Sequence, residues 1–143
     1  MLIVRTVTVS APADRVFAYL SDFTTTTEWD PGTIRTTRRS GTGEVGTRYR
    51  NRSRFLGRET ELDYVVQEFV PSRLVRLRGE NRTVVAYDTM TVEPAPGGGT
   101  TVDYRAELTV KGVARLATPL VRVAFERLAD DAQAGLRAAL ERL

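Results

Sequence analysis

The sequence predicts an α+β fold, with one antiparallel sheet of seven strands lying against a single long C-terminal helix. The first observation behind this is a series of strand-like segments from Ile34 to Val110. They are broken by Gly41-Thr42-Gly43, Gly57, Asn81 and the stretch Pro94-Ala95-Pro96-Gly97-Gly98-Gly99. The second is a change of period after Pro119, where Leu120, Ala124, Leu128, Ala132, Leu136, Ala139 and Leu143 follow one another at spacings of three and four. The third is that pairing the strands as hairpins sorts the apolar side chains onto one face. At 143 residues, 41% hydrophobic and 27% charged, the chain reads as one globular domain over residues 1–143, with no internal repeat or linker.

Each element has a local reason. Residues 2 to 9 alternate, with Val7 and Val9 against Thr6 and Thr8, and predict a strand. Ser10 or Ala11 supplies the cap of the next helix, Pro12 sits near its first position, and Asp14 lies in its first turn. Val16, Phe17 and Leu20 form its apolar face. Phe23 through Trp29 predicts a second short helix or turn, ended by Asp30-Pro31-Gly32. Further strands are expected near 33–39, 45–56, 58–70, 73–79, 82–93 and 100–110. Thr118 as an N-cap hydroxyl and Pro119 at the first position open the closing helix.

The hairpins carry the most information. A two-residue turn at Leu56-Gly57 sets Phe55 opposite Arg58, Arg54 opposite Glu59, Arg52 opposite Glu61 and Arg50 opposite Asp63, so the charges pair on one face. The other face carries Ser53–Thr60, Asn51–Leu62, Tyr49–Tyr64 and Thr47–Val66. A turn at Glu80-Asn81 sets Leu77 opposite Val84, Val75 opposite Ala86 and Arg73 opposite Asp88. A longer turn around Pro96-Gly97-Gly98 brings Met90 near Tyr104, Asp88 near Ala106 and Ala86 near Leu108. One face is then apolar through Val75, Leu77, Val84, Ala86, Met90, Val92, Val102, Tyr104, Ala106, Leu108 and Val110, and the closing helix is available to cover it. That inward face also holds Tyr49, Asn51, Ser53, Thr60, Tyr64, Asp88 and Tyr104. A solid core favours Leu, Ile and Val at such positions, because buried polar atoms need partners. A curved wall with a few polar anchors suits a ligand cavity, the alternative being a filled core whose polar groups satisfy one another.

Composition removes many chemistries. The chain has no cysteine and no histidine, which excludes disulfides, thiolate nucleophiles and Ser-His or Cys-His triads. No metal cluster assembles from the remaining acids, and no cofactor is implied. The net charge of +3 comes from 21 basic and 18 acidic residues. Arg48, Arg50, Arg52 and Arg54 suggest nucleic acid, but their carboxylate partners cancel most of the field. The smaller patch of Arg35, Arg38 and Arg39 reads as a solvated edge or an attractor for an anionic head group. The apolar runs are far shorter than the roughly 20 residues of a membrane span. Arg5 and the polar alternation around it interrupt the stretch a secretory signal would need, so a cytoplasmic location is expected.

Asp88 is the most informative residue, a carboxylate on an otherwise apolar face. Burying it ionised is expensive without a partner; Arg73 is its register neighbour and Arg5 a second candidate. It reads either as half of a structural pair or as a carboxylate that positions a ligand or removes a proton from a ketone-bearing chain. Candidate catalytic groups are Asp88, Arg73 and Tyr64, with Asn51 as a further donor. Tyr49, Tyr64 and Tyr104 can hydrogen-bond ligand oxygens or serve as ordinary core tyrosines.

The order of strand 1, Ala11-Pro12-Ala13-Asp14-Arg15-Val16-Phe17-Ala18-Tyr19-Leu20-Ser21-Asp22-Phe23, Glu28-Trp29-Asp30-Pro31-Gly32, Gly43-Glu44-Val45-Gly46-Thr47 and Gly99-Thr100-Thr101-Val102 resembles the polyketide cyclase/dehydrase and lipid-transport family. That family is part of the START-like (SRPBCC) superfamily, and the resemblance spans essentially the whole chain. It implies the helix-grip fold: a seven-stranded curved antiparallel sheet wrapped around the C-terminal helix, with two short helices after strand 1. It also places Trp29 beside a cavity entrance, either capping an aromatic ligand or anchoring the short helices to the core. The ligand-binding set expected from pattern and resemblance together is Trp29, Tyr49, Asn51, Leu62, Tyr64, Leu77, Asp88, Met90, Tyr104 and Leu128.

Two function classes stay open. One is a binding module for a small hydrophobic molecule such as a lipid, quinone or polyketide-like ring. The other is a polyketide cyclase, aromatase or dehydratase using a cavity carboxylate with tyrosine or arginine donors. The absence of histidine and the arginine expected beside Asp88 favour the first. A homodimer through an open sheet edge or the wet face is compatible with the pattern, and nothing specifies it.

Overall fold

A computed structural model describes residues 1–143. Its strands are β1 (Leu2–Val9), β2 (Thr33–Ser40), β3 (Arg48–Phe55), β4 (Arg58–Val70), β5 (Leu74–Glu80), β6 (Val84–Pro94) and β7 (Thr100–Val110). Its helices are α1 (Ala13–Ser21), α2 (Thr26–Trp29) and α3 (Thr118–Glu141). A 3-10 turn at Phe23–Thr25 joins α1 to α2, and a second 3-10 segment, Gly112–Ala117, leads into α3. The strands form one curved sheet in the order β1-β7-β6-β5-β4-β3-β2, every neighbouring pair antiparallel. β1 and β2 follow one another in sequence yet occupy opposite edges, so α1 and α2 carry the chain across the open side of the sheet. α3 packs chiefly against β1 and α2, closing the same side.

The β3–β4 hairpin has the register read from its charges. Arg54 lies opposite Glu59, Asn51 opposite Leu62 and Tyr49 opposite Tyr64. Leu56 and Gly57 both take positive φ, 53° and 75°, which matches the turn to the right-handed twist of the strands. On the wet face Arg50 meets Asp63 at 3.0 Å and Arg54 meets Glu59 at 3.4 Å. Arg52 turns to Glu59 at 3.5 Å instead of to Glu61 across from it. The β6–β7 register is also as expected, with Met90 opposite Tyr104, Asp88 opposite Ala106 and Ala86 opposite Leu108.

The β5–β6 hairpin differs from expectation. Asn81, not Glu80, closes the loop: its backbone N–H donates to the Val84 carbonyl, and its side-chain oxygen accepts from the Thr83 and Val84 amides. The turn therefore centres on Arg82-Thr83. Leu77 faces Asp88, Val75 faces Met90, and Gly79 faces Ala86. The slip covers an even number of residues, so the apolar and wet faces survive while every partner changes. Arg73 is not opposite Asp88. It lies exposed in the β4–β5 turn, its backbone N–H donating to Val70 and its carbonyl accepting from Val92.

The main core joins β1, α1, α2, the sheet centre and the C-terminal half of α3 through Val7, Val16, Leu20, Trp29, Val75, Leu77, Met90, Val102, Leu136 and Leu140. A smaller cluster of Ala86, Leu108, Val110 and Val121 lies under the N-terminal half of α3. Leu120, expected in the buried stripe of that helix, is 61% exposed. The expected caps also differ. Pro12 occupies the N-cap of α1 with no side-chain hydrogen bond. Thr118 is already helical, because the 3-10 segment delivers the chain in that conformation, and its hydroxyl donates to the Arg115 carbonyl at 2.6 Å.

Candidate functional site

The concave wall of the sheet gathers three polar side chains into one cluster. Asp88 on β6 is buried at 6% exposure, and Leu77, fully buried, is its cross-strand neighbour. Tyr104 on β7 donates its hydroxyl to the Asp88 carboxylate at 2.5 Å. Tyr64 on β4 lies on the other side, across β5, near enough to feel the charge of the same carboxylate. That placement depends on a glycine. Gly79 lies directly opposite Tyr64, and a β-carbon there would sit 2.6 Å from Tyr64 Cε1 and 2.7 Å from Cζ. The Tyr64 ring lies over the bare backbone of β5, and Phe23 packs on it with ring centroids 4.8 Å apart.

Trp29, buried in α2, meets Tyr104 edge to face at 5.5 Å. Its indole N–H points to the Thr25 hydroxyl at 3.4 Å. Met90 is fully buried opposite Tyr104. Trp29, Tyr104, Asp88, Tyr64, Leu77 and Met90 are thus contiguous. Tyr49 stands one step away, joined through Phe23 at 5.8 Å, and burial raises its phenol above the usual range. Leu62 is half-buried and touches both core clusters. Leu128 reaches from α3 to Gly32, in the turn between α2 and β2.

Asn51 belongs to a second polar group. Its amide donates to Thr33 at 3.1 Å and Thr36 at 2.9 Å, and its carbonyl accepts from Ser53. Thr36 and Thr26 share a hydrogen bond of 2.6 Å. Thr33 donates to Asp30, whose other carboxylate oxygen accepts from the Gly32 amide. Asp30 was not among the expected site residues, since Asp-Pro-Gly reads as a simple turn. Its side chain does hold that turn, and it also lies close enough for its charge to raise Asp88, Tyr64 and Tyr104.

Neither arginine expected near Asp88 is there. Arg73 is in the β4–β5 turn, and Arg5 pairs with Asp130 of α3 at 2.8 Å. Without a cation, desolvation dominates and pushes the Asp88 carboxyl up to about 6, against the opposing pull of the Tyr104 and Tyr64 hydroxyls. Burial also raises Asp30, against its bonds from Gly32 and Thr33. Tyr64 and Tyr104 are held well above the usual phenol range by burial and by the neighbouring carboxylate. The arrangement is a carboxyl with a raised pKa, one phenol donating to it and a second neutral phenol close by, in apolar surroundings.

The cavity expected between sheet and helix is not what the surface displays. Two hollows, of about 380 and 250 Å³, lie along the outside of α3 and between the start of β1 and α3. The first is lined by Asp130, Gln133 and Arg137 among others, the second by Met1, Ile3 and Phe125, and neither touches Asp88. Phe55, Leu62, Val84 and Phe125, all half-buried, pack around the small core next to this wall.

Comparison with known proteins agrees with this architecture. The aromatase/cyclase Zhui from Streptomyces sp. R1128 superposes with a TM-score of 0.84 at 15% identity, over 99% of this chain and 94% of that one. A START superfamily protein from Mycobacterium smegmatis gives 0.73 at 14% identity, over 96% and 98%. The di-domain ARO/CYC BexL gives 0.74 at 16% identity, over 96% of this chain and 49% of that one. No curated protein sequence matches the chain. At such identities the structures share the START-like fold with it and carry no residue roles across. The family model described as polyketide cyclase / dehydrase and lipid transport matches residues 2–141, nearly the full length, and with the fold in agreement the chain belongs to that family.

Proposed function

We propose that the protein binds a small hydrophobic molecule bearing ring or chain oxygens, a polyketide-like or quinone-like compound, against the concave wall at Asp88. The observation that carries this is the Asp88–Tyr104–Tyr64 cluster: a carboxylate and two phenols on a wall otherwise built from Leu77, Met90 and Trp29. A core needing only stability is served as well or better by apolar residues of the same volume. An oxygen-bearing ligand gives these groups a purpose, since phenols donate to carbonyls and the apolar wall takes the ring faces. Entry past Phe55, Leu62, Val84 and Phe125 requires the N-terminal half of α3 to shift outward.

The test uses the protein's single tryptophan. Native mass spectrometry of freshly purified protein checks for a co-purifying small molecule, and titration with a hydroxylated anthraquinone is followed by Trp29 emission. Saturable quenching is expected, weakened about tenfold by Tyr104→Phe, the loss of one hydrogen bond at a charged partner. A co-purified molecule absent throughout and an emission that changes only linearly with added anthraquinone would overturn the reading.

A second reading, catalysis of polyketide cyclisation or dehydration, is favoured by the missing arginine and by the position of the Asp88 titration near 6. The ionised carboxylate accepts a proton from the carbon next to a ketone, the electron pair moves onto the ketone oxygen, and a tyrosine hydroxyl donates to the resulting enolate. The enolate carbon then attacks a second carbonyl of the same chain, and the proton returns from Asp88 to the new alkoxide. With a linear poly-β-ketone substrate, Asp88→Asn is expected to abolish cyclisation while anthraquinone binding persists, and the wild-type rate to rise with pH through an apparent value near 6. Equal cyclisation by the wild type and Asp88→Asn would leave binding as the function.

A further inference from the structure

We propose that the outer face of the segment from Gly112 to Val123 docks on a membrane surface that carries anionic lipid. Val113 and Leu116 are 88% and 89% exposed, and Leu120 and Val123 are 61% and 51% exposed. In sequence they are spaced by three, four and three residues, which on a helical segment makes one stripe. The stripe faces away from Val121, which packs inward on the small core. An apolar stripe with no partner inside the molecule needs one outside it.

Charge selects the partner. From Lys111 to Arg127 the chain carries Lys111, Arg115, Arg122 and Arg127 against a single acid, Glu126. Lys111 is paired with Glu80 at 2.8 Å, whereas Arg115, Arg122 and Arg127 form no ion pair within the molecule. A surface offering both an apolar layer and fixed negative charge satisfies the stripe and the arginines together. A second copy of this chain docked stripe to stripe would bring like-charged arginines together and leave them unpaired. No helix of the molecule is long and apolar enough to cross a membrane, so the mode is adsorption along the surface. This inference stands on the surface pattern and does not rest on the role of Asp88. The docked half of α3 is also the half whose Phe125 packs, with Leu62 of β4, on the small core.

The experiment is co-sedimentation of the full chain with vesicles of phosphatidylcholine mixed with phosphatidylglycerol, against vesicles of phosphatidylcholine alone. Binding is expected on the mixed vesicles only, falling as salt is added. The double variant V113S/L116S is expected to lose binding about tenfold or more, from the apolar carbons removed from the bilayer boundary. Arg115→Gln and Arg122→Gln are each expected to lower it about fivefold, one surface cation apiece. Both sets alter exposed positions, and unchanged circular dichroism and Trp29 emission check that the fold is intact. Three results overturn the proposal: no wild-type sedimentation with mixed vesicles, binding that V113S/L116S leaves unchanged, or a concentration-dependent dimer that this variant dissolves without any vesicle binding. The last would assign the stripe to a second copy.

Discussion

Asp88 couples the interior to pH in a direction that can be worked out. Its carboxyl titrates near 6 in the folded protein, against an ordinary value of 3.8. A raised folded value means that folding favours the protonated form. The stabilisation is full below about pH 3.8 and is lost as the pH rises to about 6, a difference of about 3 kcal/mol for a shift of this size. Asp88→Asn removes the titration, while Asp30 and the other acids titrate in both proteins. The stability of the wild type minus that of the variant, from urea unfolding at a series of pH values, is therefore expected to rise by about 2 kcal/mol between pH 7 and pH 4. A difference that stays flat would show that Asp88 is already solvated or paired. Gly79 makes the second residue-scale prediction. Its missing β-carbon is the space in which the Tyr64 ring lies, so Gly79→Ala must move the ring or the strand. A cost of about 1–3 kcal/mol is expected from the overpacking. Gly79→Ala with Tyr64→Leu is expected to recover part of that loss, which a generic strand defect would not do.

The elements meet closely at one place, where α3 crosses α2. A β-carbon on Gly135 would sit 2.1 Å from the Trp29 carbonyl oxygen, a backbone atom that cannot swing aside. Helix propensity alone favours Ala over Gly by about 1 kcal/mol in a helix interior. Gly135→Ala is nevertheless expected to lower the thermal midpoint and to shift Trp29 emission to longer wavelength, as α3 is forced off α2. A rise in the midpoint with unchanged emission would mean that the contact yields easily. The same scale explains what the sequence makes legible. β3–β4 can be registered by reading alone, because Arg50–Asp63 and Arg54–Glu59 line up only one way and Leu56-Gly57 marks the turn. Asp88, Tyr64 and Tyr104 can be placed on the inner wall because alternation fixes the face even when the partner is wrong. The β5–β6 partners are not legible. Asn81 closes the loop with side-chain and backbone bonds, and Glu80-Asn81 and Arg82-Thr83 are equally good turns by composition. The Arg73–Asp88 pair failed for that reason, and with it the argument that the inward acid was already neutralised. Asp30, Thr33 and Gly79 were missed because their roles depend on which strand lies beside which, information that local periodicity does not hold.

At the scale of the molecule, buried contact is distributed unevenly along α3, and the looser half is the one that the proposed ligand would have to displace. The C-terminal half is anchored by Leu136, Ala139 and Leu140, with exposures of 3% or less, by the close crossing at Gly135, and by the Gln133 amide donating to the Thr6 carbonyl at 2.9 Å. The N-terminal half has Val121 as its one buried side chain, within a cluster of only four buried residues, while Leu120 and Val123 point outward. Local opening free energy follows buried apolar contact, so the two halves of one helix are expected to exchange amide hydrogens at different rates. By hydrogen exchange with mass spectrometry, peptides covering residues 118–127 should exchange well before those covering 133–141, with β6 and β7 slowest of all. If the N-terminal half is the movable cover of the Asp88 wall, a bound anthraquinone slows exchange there more than in the C-terminal half, because closure must follow entry. Vesicles that dock the Val113–Val123 stripe protect the outer face of the same half without needing the ligand. Measuring the two additions separately and together separates a cover that closes on its ligand from one held by a membrane. Uniform protection along the whole of α3 in the free protein would show a rigid helix and would count against entry beneath its N-terminal half.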